Sequence, residues 1–306
     1  MKGLELAEAY YREIGLSMLR EKFAGCADRI AAGLVGPGSE CFGFDDEFSR
    51  DHDWGPAFSL WLTDDDYAHF GAELQAAYAE LPPVFRGFGP RRASPGEEWR
   101  VGVARTSAFY RKFTGLDRPP QRAEEWLRIP EESLATCTNG RVFSDGPGEF
   151  TRHRRALLAY YPEDIRRKKI ASLCITVAQT GQYNYARSLQ RGDRFAAVYS
   201  AVTFAANAIR LVFLLNRRFA PFYKWLHRAV RDLPVLGAEV HRQVDALLAD
   251  EDAVRRAEIM ESVAALLADA LRSQGLSDSG SDFLLDHAPE VQSRIEDPRL
   301  RQHLRA

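Results

Sequence analysis

Residues 33 to 56, which read Gly-Leu-Val-Gly-Pro-Gly-Ser-Glu-Cys-Phe-Gly-Phe-Asp-Asp-Glu-Phe-Ser-Arg-Asp-His-Asp-Trp-Gly-Pro, decide the fold of this 306-residue chain. An apolar run over residues 30–35 ends in a glycine-rich turn that carries Gly38 and Ser39. Short apolar runs favour strands, and clustered glycine and proline end them. The pattern therefore predicts a first strand over 30–35, a turn with a short helix, and a second strand over 52–62.

Two acids, Asp51 and Asp53, stand at the start of the predicted second strand. Because residues i and i+2 of a strand point to the same face, we expect their carboxylates to project together. Neighbouring carboxylates repel each other unless a cation lies between them, and hard oxygen ligands suit Mg²⁺ or Mn²⁺. The turn at Gly38 and Ser39 leaves backbone N–H groups for a phosphate. These features predict a site for a metal-bound nucleoside triphosphate.

The same residues carry a family resemblance. The turn at Gly38-Ser39 and the acids Asp51 and Asp53, at this spacing, resemble the signature of the polymerase-β-like nucleotidyltransferase superfamily. Within it, the chain resembles the antibiotic nucleotidyltransferases of the kanamycin and lincosamide type. It is most similar to an uncharacterised bacterial group, a domain of unknown function, over the segments 38–56, 138–140, 160–164 and 222–225.

The resemblance implies an α+β fold, with a small mixed-sheet nucleotidyltransferase domain over residues 1–150 and an all-α helical-bundle domain over residues 151–306. The residue pattern agrees, since strand-like runs occur only in the first half and helical periodicity dominates the second. Two more strands are predicted at 99–104 and 141–145. Helices are predicted at 3–24, 64–79, 149–159, 163–180, 194–217, 219–231, 235–249, 252–274 and 281–295.

The implied chemistry is attack of an acceptor hydroxyl on the α-phosphorus of a nucleotide, with release of pyrophosphate. ATP with Mg²⁺ is the expected nucleotide, and a small molecule the expected acceptor, with protein or RNA less favoured. Asp51 and Asp53 would be the catalytic metal ligands. Further nucleotide contacts are expected at Gly38, Ser39, Arg50, Lys168, Tyr183 and Lys224.

One position departs from the superfamily pattern. Active members carry a third carboxylate on a neighbouring strand, and here that position falls at Gly102. Three nearby acids are alternative candidates, namely Glu97, Glu98 and Asp145. Loss of a general base typically costs ~10²–10⁴ in rate. The sequence therefore leaves open a catalytically degenerate nucleotide-binding regulatory module.

Composition bounds the remaining possibilities. The hydrophobic fraction of 45% and charged fraction of 27% are typical of soluble globular proteins. The scattered cysteines favour reduced thiols, and neither a signal peptide nor a membrane span is expected, which predicts a cytoplasmic protein. Residues 141–231 hold 17 Lys and Arg against 5 Asp and Glu. Such a basic segment favours anionic partners, and it leaves an RNA- or protein-binding role of the toxin–antitoxin kind as a further alternative.

Overall fold

The computed structural model describes residues 1–302. The chain divides into two compact units: unit 1 comprises Met1–Gln121 and Ser133–Ala159, and unit 2 comprises Arg122–Glu132 and the chain from Tyr160 onward. Unit 1 contains a four-stranded sheet, whereas the described part of unit 2 is helical. The predicted α+β class is confirmed. The boundary predicted at residue 150 falls inside a helix of unit 1.

The sheet of unit 1 is mixed. Its strands are β1 (Ala31–Leu34), β2 (Ser59–Leu62), β3 (Gly102–Arg105) and β4 (Arg141–Asp145), in the spatial order β3-β2-β1-β4. Strand β1 runs antiparallel to both of its neighbours, and β3 runs parallel to β2. Each strand is short and three of them carry a β-branched or aromatic residue, which suits a small pleated surface.

The register brings four strand ends together. Gly33 pairs with Ser59, Leu34 pairs with Arg141, and Ser59 pairs with Gly102. The carboxyl end of β1 therefore meets the amino ends of β2, β3 and β4. We call this side of the sheet the site edge, because the glycine turn follows β1 and the acid-bearing segment precedes β2.

Helices cover the sheet of unit 1. They are α1 (Gly3–Tyr10), α2 (Leu16–Lys22), α3 (Ser39–Phe42), α4 (Asp64–Ala79), α5 (Thr106–Thr114), the part of α7 (Glu131–Thr138) from Ser133 onward, and α8 (Glu149–Leu158). A π-helical turn, Tyr11–Gly15, joins α1 to α2, so the predicted helix over 3–24 is present with an irregular centre.

The core of unit 1 lies between α1, α4 and the sheet. Leu6, Phe58, Leu60, Leu62 and Leu74 are fully buried there. Each such side chain contributes about 1.5–3 kcal/mol relative to an exposed position. This core holds the sheet in place and so fixes the position of the site edge.

Unit 2 contains the remaining helices. They are α6 (Ala123–Arg128), the first two residues of α7, α9 (Glu163–Val177), α10 (Ala186–Gln190), α11 (Arg194–Leu215), α12 (Tyr223–Val230), α13 (Gly237–Ala249), α14 (Ala253–Ser273), α15 (Leu284–Ser293) and α16 (Pro298–Arg301). A π-helix, Ala178–Tyr185, connects α9 to α10. Every helix predicted for this half of the chain is present, with ends shifted by a few residues.

Helix α11 is long and apolar enough to cross a membrane by length and composition alone. However, 61% of its most apolar window is buried inside the protein. Such burial is typical of the central helix of a folded bundle, and α11 packs against α9, α12 and α14.

Candidate functional site

The glycine turn follows β1 directly. Gly36 has a φ of +151° and Gly38 leads into α3, which begins at Ser39. The side chain of Asn139 holds the turn: its Nδ2 donates to the Gly36 carbonyl at 2.8 Å, and its Oδ1 accepts from the Gly36 N–H at 3.0 Å. The segment 138–140, one of those that carry the family resemblance, therefore has a structural role, because Asn139 holds the glycine turn from the residues that precede β4.

We expect Asn139→Ala to destabilise unit 1 by about 1–3 kcal/mol, because it leaves two partly buried backbone groups of Gly36 without partners. Urea unfolding of the variant measures the loss. Asn139→Asp keeps the acceptor oxygen but lacks the N–H donor. Its free energy of unfolding should therefore lie between that of Asn139→Ala and that of the native chain.

A buried ion pair lies beside the turn. Glu40 is in the first turn of α3, and its Oε1 lies 3.1 Å from Nη1 of Arg91. Both side chains are almost completely buried, at 2% and 7% exposure. A Cβ added at Gly38 would overlap the Glu40 carboxylate, so a side chain there would require the Glu40 side chain to move. In this arrangement the groups around the turn already contain a carboxylate and the arginine that neutralises it.

Asp51 is exposed. It follows a short 3₁₀ helix, Phe48–Arg50, and lies in an irregular bend. Its carboxylate accepts a hydrogen bond from the backbone N–H of His52 at 2.9 Å, and Nδ1 of His52 lies 2.8 Å away. The His52 side chain lowers the pKa of Asp51 below its ordinary value. Asp51 is therefore a solvent-facing, ionised carboxylate.

Asp53 is buried and fully engaged. Its Oδ1 accepts from the Ser94 N–H at 2.9 Å, and its Oδ2 accepts from the Ser94 hydroxyl at 2.7 Å. Nη1 of Arg100 lies 3.2 Å from the same Oδ2. Burial opposes ionisation, yet the Ser94 hydrogen bonds and the charges of Arg100 and Arg91 hold the pKa of Asp53 below its ordinary value. Both oxygens of this carboxylate have partners within the protein.

The prediction that Asp51 and Asp53 lie on a strand is wrong. Strand β2 begins at Ser59, not at residue 52. Asp53 has a φ of +52° and Gly55 a φ of +140°, and left-handed backbone interrupts a strand. The alternation of acids resembles a strand pattern, but the two carboxylates differ in environment, one exposed and one buried.

A magnesium ion does not fit these residues as they are arranged. Two carboxylates are the right donor type, since Mg²⁺ prefers oxygen ligands in near-octahedral geometry. However, Ser94 and Arg100 take both oxygens of Asp53, and the guanidinium supplies the positive charge that a metal would bring. Of these two acids, Asp51 alone offers an exposed carboxylate without an arginine or lysine partner among the described residues.

No side chain replaces the third carboxylate at Gly102. This residue has a φ of +92°, and a Cβ built on it would lie 2.9 Å from Oε1 of Gln75. Glu97 instead pairs with Arg100 at 2.8 Å, and Glu98 accepts from the Gly96 N–H at 3.3 Å.

Asp145 lies at the other end of the sheet from the site edge. It pairs with Ala31, the first residue of β1, whereas the glycine turn follows the last. Its two oxygens accept from the N–H groups of Gly148 and Thr151 at 2.9 and 2.7 Å. Asp145 therefore caps α8 and cannot act as the third acid of the site edge.

Arg50 is the one predicted nucleotide contact of unit 1 with a free cation. Its guanidinium stacks over Trp54 at 4.9 Å and Phe88 at 5.8 Å from the ring centroids. Within residues 1–302 it has no ion-pair partner. The side chain is exposed and held in place by aromatic faces, which suits contact with an anion.

The predicted contacts of unit 2 have other environments. Lys168 is buried, and its ammonium donates to the Leu300 carbonyl at 2.9 Å. This burial lowers the pKa of Lys168. Tyr183 is half exposed and hydrogen-bonded to Arg187, and Lys224 is exposed beside the Trp225 ring. Lys168 is thus a structural residue, while Tyr183 and Lys224 remain open to ligands.

Sequence reasoning missed Ser94, Arg91 and Arg100. All three belong to or follow a segment rich in proline, glycine and arginine that begins at Gly87. This segment contacts the acid-bearing residues, because the Asp53 N–H donates to the Arg92 carbonyl at 2.7 Å. A sequence signal existed, because buried acids require nearby cations and this segment holds consecutive arginines.

Comparisons with known proteins give two findings. The profile of a family described as a domain of unknown function (DUF4037) matches residues 126–226. A nucleotidyltransferase-like protein from Exiguobacterium sibiricum is similar in structure, with a TM-score of 0.40 and 12% identity over 92% of this chain and 81% of that chain. No curated protein matches the sequence.

Proposed function

We propose that unit 1 is a nucleotidyltransferase-like module that binds a nucleoside triphosphate at the site edge. The observation that carries this proposal is the pair of acid–arginine contacts there, Glu40–Arg91 and Asp53–Arg100. Guanidinium groups bind phosphate in the same forked geometry as carboxylate, so a triphosphate can exchange for either acid. Arg50 provides a third cation, and a phosphate can contact it without displacing a carboxylate.

Binding without efficient transfer is the function that these residues support best. Asp53 is neutralised by Arg100, and Gln75 fills the space next to Gly102. The triphosphate charge would be met by Arg50, Arg91 and Arg100. The module would then sense or hold a nucleotide, probed here as ATP, in the cytosol.

A second candidate is transfer of a nucleoside monophosphate, AMP from ATP, to a hydroxyl of a small molecule. The exposed carboxylate of Asp51 favours this transfer. Asp51 lies in the segment that leads into β2. This activity requires Asp53 to leave Ser94 and Arg100, because both oxygens are engaged in the arrangement described.

Calorimetry with ATP and a pyrophosphate-release assay together test the proposal. We expect the full chain to bind ATP in the presence of EDTA, because arginines rather than a metal meet the phosphates. We expect pyrophosphate release with a panel of hydroxyl acceptors to be at least ~10²-fold slower than in a transferase that retains its general base. Absence of ATP binding, with and without Mg²⁺, would overturn both candidates, and rapid release would favour the second.

Arg50→Met provides the matched variant for this experiment. Loss of a charge-assisted phosphate contact costs about 1.5–3 kcal/mol, which corresponds to about tenfold or more in affinity. Arg20→Met is the control, because Arg20 is also exposed, lies on α2 and has no side-chain partner within the described residues. Equal affinities of the two variants would remove Arg50 from the site.

A further inference from the structure

A cavity of about 370 Å³ lies entirely within unit 2. It opens between the segment that precedes α7, the start of α7, and the helices α9 and α11. Its size is that of a small-molecule site. The residues that give it chemical character are Glu131, Lys169, Ser172 and Arg210, and Leu127 and Leu214 supply apolar walls.

Glu131 brings a buried carboxylate to this cavity. Its Oε1 is buried and has no hydrogen-bond partner among the described residues. Burial raises the pKa of Glu131 to about 7, although Lys169, the Ala220 N–H and Arg210 act in the opposite direction. A buried polar oxygen without a partner destabilises the folded protein, so a ligand that satisfies it gains binding free energy.

Two cations, Lys169 and Arg210, line the same cavity without a direct ion pair among the described residues. Neither Lys169 nor Arg210 forms an ion pair within residues 1–302. The Lys169 ammonium lies 5.1 Å from the centroid of the Tyr161 ring. Burial lowers the pKa of Lys169, although the charges of Glu131 and Glu132 act in the opposite direction. Both side chains are partly buried, and the acids nearest to Lys169 are the cavity residues Glu131 and Glu132, which it does not contact at ion-pair distance.

We propose that this cavity binds the phosphate group of a small molecule, with Lys169 and Arg210 contacting its charged oxygens and Glu131 contacting its O–H. A phosphate is favoured over a carboxylate because a hydrogen phosphate carries both negative charge and a proton donor. The negative charge would contact the two cations, and the O–H would donate to the Oε1 of Glu131 that has no partner. All residues that line the cavity lie within the segment 126–226 that matches the family profile.

The protonation of Glu131 gives the site a pH dependence with a defined sign. The charged or titratable groups that act on or beside it are Lys169, Arg210, Glu132, Tyr160 and Tyr161. Above a pH of about 7 Glu131 is a carboxylate, which accepts a hydrogen bond from the O–H of hydrogen phosphate but repels an anion that has no O–H. Below it the neutral acid donates its own O–H. Sulfate, which has no proton to donate, should therefore bind better at pH 6 than at pH 8.

Isothermal titration calorimetry of the full chain with inorganic phosphate, sulfate and acetate tests this site. At pH 8 we expect phosphate to bind at least tenfold more tightly than sulfate or acetate. Between pH 8 and pH 6 we expect sulfate affinity to rise about tenfold, the equivalent of one pKa unit of coupling. No phosphate binding, or equal affinity for the three anions at pH 8, would overturn the proposal.

Two variants assign the effect to the named residues. Arg210→Met should weaken phosphate binding at least tenfold, whereas Arg194→Met, an exposed position on the same helix, should leave it unchanged. Glu131→Gln should abolish the pH dependence of sulfate binding. Equal affinities of the two arginine variants, or an unchanged pH profile in Glu131→Gln, would refute the assignment. Because the cavity lies in unit 2, this result is independent of ATP binding by unit 1.

Discussion

Asp53→Asn is expected to strengthen the binding of ATP in EDTA by about tenfold. In the native chain Arg100 is held by the Asp53 carboxylate at 3.2 Å, so a phosphate must displace that carboxylate to reach it. Asparagine removes the charge that competes for Nη1 of Arg100, while Glu97 keeps its contact with Nε, and it retains an oxygen for the Ser94 N–H. A charge-assisted contact is worth about 1.5–3 kcal/mol, and about 1.4 kcal/mol is a factor of ten. Asparagine also adopts left-handed backbone readily, so the φ of +52° is tolerated.

The same substitution separates the two candidate functions by the sign of its effect. If Asp53 is a metal ligand of an active transferase, Asp53→Asn must lower Mg²⁺-dependent binding and abolish pyrophosphate release. Asp51→Asn is the matched control, because Asp51 is exposed and, among residues 1–302, its carboxylate has polar contacts with His52 alone. It should leave ATP affinity in EDTA nearly unchanged. Weaker binding by Asp53→Asn in EDTA would contradict the exchange of Arg100 between carboxylate and phosphate.

The parts of the fold that follow from local physics were predictable from the sequence. Helix α4 has the predicted bounds, because Thr63 caps it by accepting from the Asp66 N–H and three acids stand in its positive first turn. Strand β4 likewise has the predicted bounds, 141–145. In these elements the apolar pattern, the capping residues and the turn residues all favour the same structure.

The prediction of where the second strand begins was wrong because the side-chain pattern before it was ambiguous. Acids at alternate positions resemble one face of a strand, but the backbone at Asp53 and Gly55 is left-handed and β2 starts later, at Ser59. A pattern of side chains does not reveal φ where glycine and aspartate allow both signs.

The contacts of the candidate site depend on residues far apart in the chain. Arg91 pairs with Glu40 across 51 positions, and Ser94 bonds Asp53 across 41. Sequence reasoning identified the acids by their spacing, but it had no signal for which arginine would approach them. Their location at one end of the sheet follows only from the register of β1 and β2, which brings the turn and the acid segment to the same edge.

Arg91→Met is expected to have the largest effect on stability. Arg91 and Glu40 are almost completely buried, and removing the arginine leaves the Glu40 carboxylate without its cation. Breaking a buried pair by removing one partner costs about 3–5 kcal/mol, because an uncompensated charge remains inside the protein. Urea unfolding, with separate fits where the two units unfold in separate transitions, measures the loss.

Two further variants establish that the buried charge causes this loss. The double variant Glu40→Gln with Arg91→Met removes both charges, and it should recover most of the stability, since replacing both partners avoids an unpaired charge. Arg86→Met breaks a different pair, with Glu13, in which both side chains are about half exposed, so it should cost only about 0–1 kcal/mol. If Arg91→Met lost no more stability than Arg86→Met, the Glu40–Arg91 pair would contribute no more to the free energy of unfolding than an exposed ion pair does. The turn beside Gly38 would then be open to a phosphate without any exchange of partners.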